Sequence, residues 1–184
     1  MNNKYKIFEI SKDNFDKIIP LSDKYLGDLY LSKEELVQNG MRVIVVSDIR
    51  SKKIVGFISF GVGEAQKFLN ESKIKSKSLM NSDIVYIGSI AVEKAHQAKG
   101  VGTWMLEEVV RKTNKLGLDT IMPAWLKKND DVPAIYKAAD RVFFKPLYQI
   151  NDYWKERSIK ESWLCIDCGT PCCCSAVIYS RKSF

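Results

Sequence analysis

Short apolar runs separated by polar turns predict that the chain builds a sheet. Residues 5–10 alternate apolar and polar side chains, as the opening strand of a half-buried sheet would. Residues 41–47 and 54–62 are β-branched and apolar, and the polar stretch between them predicts a hairpin. Residues 84–92 are apolar on both faces, which is typical of a central strand, and Gly88 within them predicts a bulge or a close backbone approach.

Helical signals lie between these strands in the first half of the chain. Asp13 is a suitable N-cap for a short helix that Pro20 interrupts. Ser32 opens a capping box, and Gly40 is placed to end that second helix. Residues 64–83 are rich in Lys, Ser and Asn and predict a loop or a short peripheral helix, to which we assign no chemistry.

The second half alternates helices and strands. Residues 103–116 carry apolar side chains at helical spacing, and Gly117 closes that helix. The remaining predicted elements are a strand at 119–124, a helix at about 131–139, and strands at 145–150 and 176–180. The predicted fold class is therefore α/β, with a mixed (α+β) sheet and helices on both faces.

Length and charge limit the classes of protein to which this sequence can belong. The 184 residues, 46% of them apolar, suffice for a single domain, with a core at about 5–150 and an extension at 151–184 that completes the sheet. A net charge of +7 favours anionic partners without choosing among phosphate cofactors, nucleic acid and membrane surfaces. Because no signal peptide and no apolar run of about 18 residues is found, we expect a cytoplasmic protein without a membrane partner.

The candidate chemistry lies in the turn between the central strand and the following helix. Its sequence is Gln97-Ala98-Lys99-Gly100-Val101-Gly102. A glycine-rich turn that opens a helix leaves backbone N–H groups without partners, and the helix dipole adds partial positive charge there. The glycines let the backbone approach phosphate oxygens closely, and the lysine can add a charge. The turn lacks the third glycine of a dinucleotide fingerprint and the Gly-Lys-Ser/Thr of a P-loop.

This segment resembles the signature of the GNAT (Gcn5-related) N-acetyltransferase superfamily, Arg/Gln-x-x-Gly-x-Gly/Ala after a central strand. Gln97, Gly100 and Gly102 match it at every defined position. The resemblance implies acetyl-CoA, or a related acyl-CoA, as co-substrate, with its pyrophosphate on the amides of residues 97–102 and its pantetheine arm along residues 89–92. The cofactor-binding residues expected on this basis are Ile90, Ala91, Val92, Gln97, Ala98, Lys99, Gly100, Val101, Gly102, Thr103 and Asn129.

A second feature of the family is an Asn followed seven residues later by Tyr and then by a Gly-Phe pair. Asn129 and Tyr136 keep that spacing. In the family such a tyrosine often protonates the coenzyme A thiolate, and a phenol suits this role because its pKa of about 10 keeps it protonated at neutral pH. Tyr136 is therefore the expected catalytic residue, and the alternative is an aromatic packed on a helix face. Asp140 and Arg141 replace the Gly-Phe pair, with Asp140 able to take the left-handed glycine position.

The sequence says less about the acyl acceptor. Glu64, Asp83 and Glu93 are candidates for the general base, none better than a surface carboxylate. Tyr25 and Tyr30 fall where the resembling family builds part of its acceptor pocket, and core packing would explain them equally well.

Two further features are not expected to take part in the chemistry. His96, just before the glycine-rich turn, is expected to be a solvated loop residue rather than a phosphate ligand. Trp154 and Trp163 flank a basic stretch at 155–160, which predicts a solvated helix rather than an interaction surface.

All five cysteines lie in one short cluster, Cys165-x-x-Cys168-x-x-x-Cys172-Cys173-Cys174. The first pair, followed by Gly169, resembles half of a zinc knuckle, and Cys172 and Cys174 provide a second pair if Cys173 points away. The predicted site is structural, with Zn²⁺ as first choice and an iron–sulfur cluster as second. The metal-free alternatives are a reduced thiol cluster and a Cys165–Cys168 disulfide.

The resemblance implies an acyl-CoA-dependent N-acetyltransferase in which an amine attacks the thioester directly in a ternary complex. A backbone amide of the central strand would polarise the carbonyl. The partners would be acyl-CoA and an amine-bearing acceptor, while the identity of that acceptor and the oligomeric state stay open. The alternative is a non-catalytic binding module on the same scaffold, which uses its basic surface and cysteine cluster to bind nucleic acid or protein. Nucleic acid is the less expected partner because aromatic RNP motifs are missing.

Overall fold

A computed structural model describes residues 4–65 and 83–183. The strands are β1 (Tyr5–Ile10), β2 (Gly27–Asp28), β3 (Arg42–Asp48), β4 (Ile54–Glu64), β5 (Asp83–Val92), β6 (Thr120–Leu126), β7 (Lys145–Ile150), β8 (Leu164–Cys165) and β9 (Ser175–Arg181). The α-helices are α1 (Ile19–Tyr25), α2 (Lys33–Gln38), α3 (Val101–Thr113), α4 (Tyr136–Arg141) and α5 (Lys155–Lys160), and 3-10 turns lie at Lys12–Ile18, Lys94–His96 and Asn114–Leu116.

Seven of the strands in the described residues form one mixed sheet, in the order β1-β3-β4-β5-β6-β9-β7. Only β5 and β6 pair in parallel, and every other neighbouring pair in this sheet is antiparallel. The last strand, β9, inserts between β6 and β7, so the C-terminal part of the chain completes the sheet. β2 and β8 form a separate two-stranded ribbon. The predicted mixed α/β fold is therefore confirmed.

Two apolar layers cover the faces of the sheet. On one face α3 and α4 contribute buried residues such as Met105, Leu106 and Ala139. On the other face the first helices and the C-terminal segment contribute residues such as Ile18, Leu36 and Trp163. Helices on both faces explain why the central strand is apolar on both sides.

Several local predictions match the structure. β3 and β4 form the expected antiparallel hairpin. Ser32 caps α2, since its Oγ accepts a hydrogen bond from the Glu35 N–H at 3.1 Å. Gly40 follows that helix with a left-handed φ of 63°. The predicted loop or peripheral helix at 64–83 lies almost wholly outside the described residues.

Two helix predictions are corrected. Ser11, rather than Asp13, precedes the 3-10 turn, and Pro20 lies in the first turn of α1, where its missing N–H costs nothing. The helix expected at about 131–139 begins only at Tyr136, because Pro133 lies in a turn whose carbonyl accepts the Tyr136 N–H at 2.9 Å. Among the described residues, no helix is both long and apolar enough to cross a membrane.

Candidate active site

The central strand β5 carries a bulge at Gly88. Ser59 pairs with Ser89 but Phe60 pairs with Ile87, so Gly88 is an extra residue opposite β4. An added Cβ at Gly88 would lie 2.8 Å from Met41 Cε and 3.2 Å from Ser59 Oγ, which explains the glycine. The bulge also shifts the alternation of side chains along the strand, so β5 bends at this point.

β5 and β6 separate beyond the bulge. They pair only at Val85↔Thr120 and Tyr86↔Ile121. Pro123 follows shortly afterwards and has no N–H to donate to a neighbouring strand. A cavity of about 110 Å³ opens between residues 87–90 of β5 and 122–125 of β6, closed by Leu26, Tyr30, Ala134, Ile135 and Trp154. Within this split, β5 offers backbone groups that β6 does not use.

The glycine-rich turn lies at the end of the same strand. Gly100 caps α3 with a left-handed φ of 81°, a conformation that L-residues with a side chain rarely adopt. The first helical hydrogen bond is donated by Trp104 N–H to the Gly100 carbonyl at 2.9 Å. The amides of Val101, Gly102 and Thr103 therefore have no acceptor within the helix, which is the arrangement that allows a helix N-terminus to bind an anion.

Other residues of the turn stabilise its shape. Gln97 Nε2 donates to the Val92 carbonyl at 2.8 Å and so joins the turn to the end of β5. Ala98 has a left-handed φ of 55°. Lys99 Nζ donates to the Ala95 carbonyl at 2.6 Å, so its charge lies against the turn itself.

The remaining predicted cofactor residues occupy different surroundings. Ile90 lines the cavity in the split, whereas the Ala91 side chain packs in the core on the opposite face. Asn129 is exposed in the segment after β6. His96, expected to be a solvated loop residue, is instead half-buried, and its Nδ1 lies 2.9 Å from the Tyr5 hydroxyl, which holds the ring against β1.

Tyr136, the expected catalytic residue, lies at the first position of α4 and is 43% exposed. It is not among the residues that line the cavity in the split, where Ala134 and Ile135 lie instead. Burial raises the pKa of Tyr179 on β9, and the nearby Tyr136 adds to this effect.

The end of α4 departs from the expected register. Phe143, and not Asp140, takes the left-handed conformation, with a φ of 65°, and Phe144 after it is buried. The expectation that Asp140 takes the left-handed glycine position is therefore wrong.

A larger cavity of about 310 Å³ adjoins the split. It shares Tyr30, Ile87, Gly88, Pro123 and Trp154 with the smaller cavity. Its further lining is contributed by α2, β4, β5 and α5 and includes Glu35, Asn39, Met41, Glu64, Tyr86, Tyr153 and Arg157. The two cavities therefore meet at the bulge, one running along the split and the other opening toward α2 and α5.

Arg157 and Glu35 supply charge to the larger cavity. One Arg157 nitrogen donates to Glu35 Oε1 at 2.7 Å and to the Tyr30 carbonyl at 2.9 Å, and Nε donates to Glu161 Oε2 at 2.7 Å. Burial raises the pKa of Glu35, an effect that the Arg157 guanidinium partly offsets. Sequence reasoning missed both residues, since the pattern around Glu35 indicates only a capping box and the pattern around Arg157 a solvated helix.

The predicted acceptor-side residues separate into two groups. Tyr30 lines both cavities, and Glu64 lines the larger one. Glu93 forms an ion pair with Lys24 at 3.4 Å, and the Tyr25 hydroxyl accepts a hydrogen bond from the Lys94 N–H at 2.8 Å. Asp83 begins β5 and is exposed.

The cysteine cluster lies in the apolar layer that also buries Trp154 and Trp163. Cys165, Cys168, Cys172 and Cys174 bring their sulfurs within 4.8 Å of one another, while Cys173 is exposed and outside this group. All five cysteines are unpaired, so the alternative of a Cys165–Cys168 disulfide is wrong.

Comparison with known proteins identifies the class. The family model described as "Acetyltransferase (GNAT) family" matches residues 5–138. Because the match covers most of the chain, the protein belongs to the GNAT acetyltransferase family, and the resemblance found in the sequence is confirmed. No curated protein matches the chain significantly in sequence.

Solved structures share the fold. Arabidopsis thaliana NAA60, crystallised with acetyl-CoA, is 12% identical, with 97% of this chain and 98% of that chain covered and a TM-score of 0.67. The Escherichia coli ribosomal-protein-S18-alanine N-acetyltransferase is 12% identical, with 97% and 94% covered and a TM-score of 0.64. A GNAT acetyltransferase from Streptococcus pneumoniae is also 12% identical, with 98% and 100% covered and a TM-score of 0.62. At these identities the likeness is one of fold.

Proposed function

We propose that this protein transfers an acetyl group from acetyl-CoA to an amine by direct attack in a ternary complex. The observation that carries the proposal is the row of amides at Val101, Gly102 and Thr103, which have no acceptor within the helix and follow a strand that is split from its neighbour. Such amides bind phosphate oxygens, and the split leaves strand backbone for the pantetheine amides. Acetyl-CoA is also the molecule with which Arabidopsis NAA60 was crystallised.

The two cavities suggest where each substrate lies. With its pyrophosphate on the amides of residues 97–103 and its arm along residues 87–92, acetyl-CoA would bring its thioester to the bulge at Gly88. The amine would enter from the larger cavity, where Glu35 and Glu64 attract an ammonium group. A base first removes a proton from the ammonium group, directly or through water, and Glu64 is the candidate base that lines the larger cavity. The amine nitrogen then attacks the carbonyl carbon, and a backbone N–H of β5 stabilises the oxyanion. The carbon–sulfur bond breaks, the nitrogen loses its second proton as the amide forms, and the thiolate leaves.

The leaving thiolate needs a proton, and two tyrosines are candidates for the donor. Tyr136 is the residue that the family spacing indicates. Tyr30 is favoured by its place at the junction of the two cavities, where its hydroxyl lies 3.4 Å from the Gly88 carbonyl oxygen. Burial raises the pKa of Tyr30, so this phenol is protonated at neutral pH and suited to donate.

Gly102 provides a sharp test of the phosphate site. A Cβ at Gly102 would meet only Ile135 Cδ1 at 3.6 Å, an ordinary contact, so Gly102→Ala and Gly102→Asp should both fold. An aspartate in the first turn stabilises a helix but repels pyrophosphate. We expect Gly102→Asp to keep or raise the melting temperature while weakening acetyl-CoA binding at least about tenfold, a loss of roughly 1.4 kcal/mol. Gly102→Ala is the matched control, and equal calorimetric affinities for the two variants would refute the phosphate site.

The acceptor itself is best found by its product. Each turnover releases one thiol, so a screen of amines with a free-thiol readout reports the reaction class and the acceptor together. Small polyamines, amino acids, amine-bearing antibiotics and peptides with free N-termini form the first panel. Thiol release that does not depend on any amine would be hydrolysis and would argue against N-acetyl transfer.

The proposal extends to the organisation and location of the chain. We propose that it is one domain, since β9 from the C-terminal extension lies inside the sheet that β1 begins. The five unpaired cysteines suit a reducing compartment such as the cytoplasm.

A further inference from the structure

The turn after β8 is shaped to bring two thiols together. Gly169 has a left-handed φ of 75° with nothing within 4 Å of an added Cβ, so its conformation rather than crowding favours glycine. Its N–H donates to the Cys165 carbonyl at 2.9 Å, which closes the turn over Cys165 and Cys168. A glycine after Cys-x-x-Cys thus folds the first pair onto one side of the chain.

The second pair arrives from the segment that leads into β9. The Cys172 N–H donates to Ser158 Oγ at 2.8 Å, which fixes this segment to α5. Cys172 and Cys174 are fully buried, whereas Cys173 between them is exposed. Alternate side chains of an extended segment point to opposite sides, so the second pair turns inward toward the first.

The sulfur separations match a tetrahedron around one ion. The Sγ atoms lie 3.9 Å apart for Cys165 and Cys174, 3.7 Å for Cys168 and Cys172, and 3.5 Å for Cys168 and Cys174. A regular tetrahedron with a zinc–sulfur distance of about 2.3 Å has an edge of about 3.8 Å. Four sulfurs within 4.8 Å of one another suit a single ion better than a cluster, whose cysteines bind separate irons.

Two N–H groups beside the sulfurs can donate to thiolates. The Cys173 N–H donates to Cys168 Sγ at 3.2 Å, the kind of contact that stabilises a metal-bound thiolate. The buried indole N–H of Trp125 has no oxygen or nitrogen acceptor among the described residues. A buried donor without an acceptor is costly, and a thiolate at the neighbouring Cys174 would provide one.

We propose that Cys165, Cys168, Cys172 and Cys174 bind one Zn²⁺ as four thiolates in a closed, structural site. Each thiol releases its proton to solvent as its sulfur binds the ion, and no electron transfer is involved. Four protein ligands leave no open position, so the ion takes no part in the acetyl transfer.

The site would also position a wall of the larger cavity. β8 pairs Cys165 with Gly27, and the adjoining Trp163 donates from Nε1 to the Leu26 carbonyl at 3.2 Å. The Trp163 ring lies 4.8 Å from the ring of Tyr30, centroid to centroid. The ion would therefore hold the segment that supports Tyr30, and the link to the acceptor rests on the proposed function.

Metal analysis of the full chain tests the site without reference to activity. Purified without chelator, the wild type should contain about one zinc ion per chain. Cys173→Ser is the matched control because Cys173 is adjacent but exposed, and it should retain the metal. Cys168→Ser should reduce zinc affinity at least about tenfold. Cobalt exchanged into the wild type and into Cys173→Ser should show the visible absorption of a tetrahedral thiolate site.

Three outcomes would overturn the proposal. One is less than about a tenth of an equivalent of zinc in the wild type after incubation with zinc, with all five thiols reacting freely. Another is iron in place of zinc, and the third is equal metal loss in Cys173→Ser and Cys168→Ser. The wild-type measurements need no variant, so misfolding of Cys168→Ser would leave the test intact. Failure of acetyl transfer with zinc present would count against the proposed function alone.

Discussion

The Tyr30 hydroxyl donates a hydrogen bond to the carbonyl of Gly88, with 3.4 Å between the two oxygens. Gly88 is the bulge residue at the point where the two cavities meet. A phenol proton is thus held beside the strand along which acetyl-CoA is proposed to bind. Tyr136, by comparison, is 43% exposed on the first turn of α4.

The first prediction separates these two tyrosines. We expect Tyr30→Phe to lower kcat about 100-fold or more, the usual loss when a general acid is removed, and to leave the Kd of acetyl-CoA within about twofold. Tyr136→Phe is the matched variant and should change kcat less than about threefold. Steady-state kinetics with the amine found in the acceptor screen make the measurement. A larger loss of kcat in Tyr136→Phe than in Tyr30→Phe would assign the general-acid role to Tyr136 instead.

The glycine-rich turn at 97–102 could be predicted from the sequence because it is local. Gln97, Gly100 and Gly102 are nearly consecutive, Gln97 Nε2 bonds to the Val92 carbonyl, and Gly100 has a left-handed φ. The central strand and its bulge could also be predicted, because a glycine inside a continuous apolar strand usually marks a bulge or a close backbone approach.

The larger cavity could not be predicted in this way. Arg157 meets Glu35 across 122 positions of the chain, and the charged residues of α5 suggested a solvated helix. In the structure Trp154 and Trp163 on either side are buried and draw α5 against the core. The position of the left-handed residue after α4 was predicted wrongly for a similar reason. Burial of Phe144 determines that position, and the turn preference of Asp140 does not.

A second prediction concerns the contact between β2 and the cysteine segment. At Gly27, with a φ of 128°, an added Cβ would lie 2.2 Å from the Leu164 carbonyl oxygen and 2.4 Å from Trp163 Nε1. Gly27→Ala must therefore displace β8, and we expect a loss of at least about 3 kcal/mol in the free energy of unfolding.

Gly40→Ala is the control for this change. Gly40 also has a left-handed φ, of 63°, but an added Cβ meets nothing within 4 Å. Backbone strain alone should lower the free energy of unfolding of Gly40→Ala by about 1 kcal/mol. Urea unfolding of both variants measures the difference, and equal losses would show that the close contact at Gly27 relaxes freely.

A third prediction uses the pH dependence of stability. Arg42 donates to both oxygens of Glu9 at 2.8 Å, and Lys112 Nζ lies 3.0 Å from Glu9 Oε2, so β1, β3 and α3 are joined. Hydrogen bonds from Arg42 hold the pKa of Glu9 below its usual value of 4.5. A carboxyl with a lowered pKa stabilises the fold above its unfolded-state pKa, and this contribution is lost as the pH falls through the folded value.

Glu9→Gln should therefore lower the free energy of unfolding by about 0.5–1 kcal/mol at neutral pH, a size typical of partly exposed pairs. The difference from wild type should shrink as the pH falls below about 4.5, because the wild-type carboxyl also becomes neutral. Glu107→Gln, an exposed change on α3, is the control and should be neutral throughout. A Glu9→Gln deficit that persists undiminished in acid would contradict the electrostatic explanation.

The last prediction concerns Arg157, which joins α5 to Glu35 and to the Tyr30 carbonyl. Burial disfavours its charge, but Tyr30, Glu35 and Glu161 hold the pKa of Arg157 above its ordinary value, so it is a cation at every working pH.

Arg157→Gln leaves the half-buried Glu35 without its cation, and we expect a loss of about 2 kcal/mol in stability. It should also raise the KM of the amine at least about tenfold, because Glu35 without its cation is more easily protonated and then no longer attracts the ammonium group. The KM of acetyl-CoA should change less than about twofold, because Arg157 lines only the larger cavity. Glu161→Gln, which removes a single exposed contact of the same arginine, should have little effect on either constant. A parallel rise in both KM values for Arg157→Gln would mean that the larger cavity is not the acceptor side.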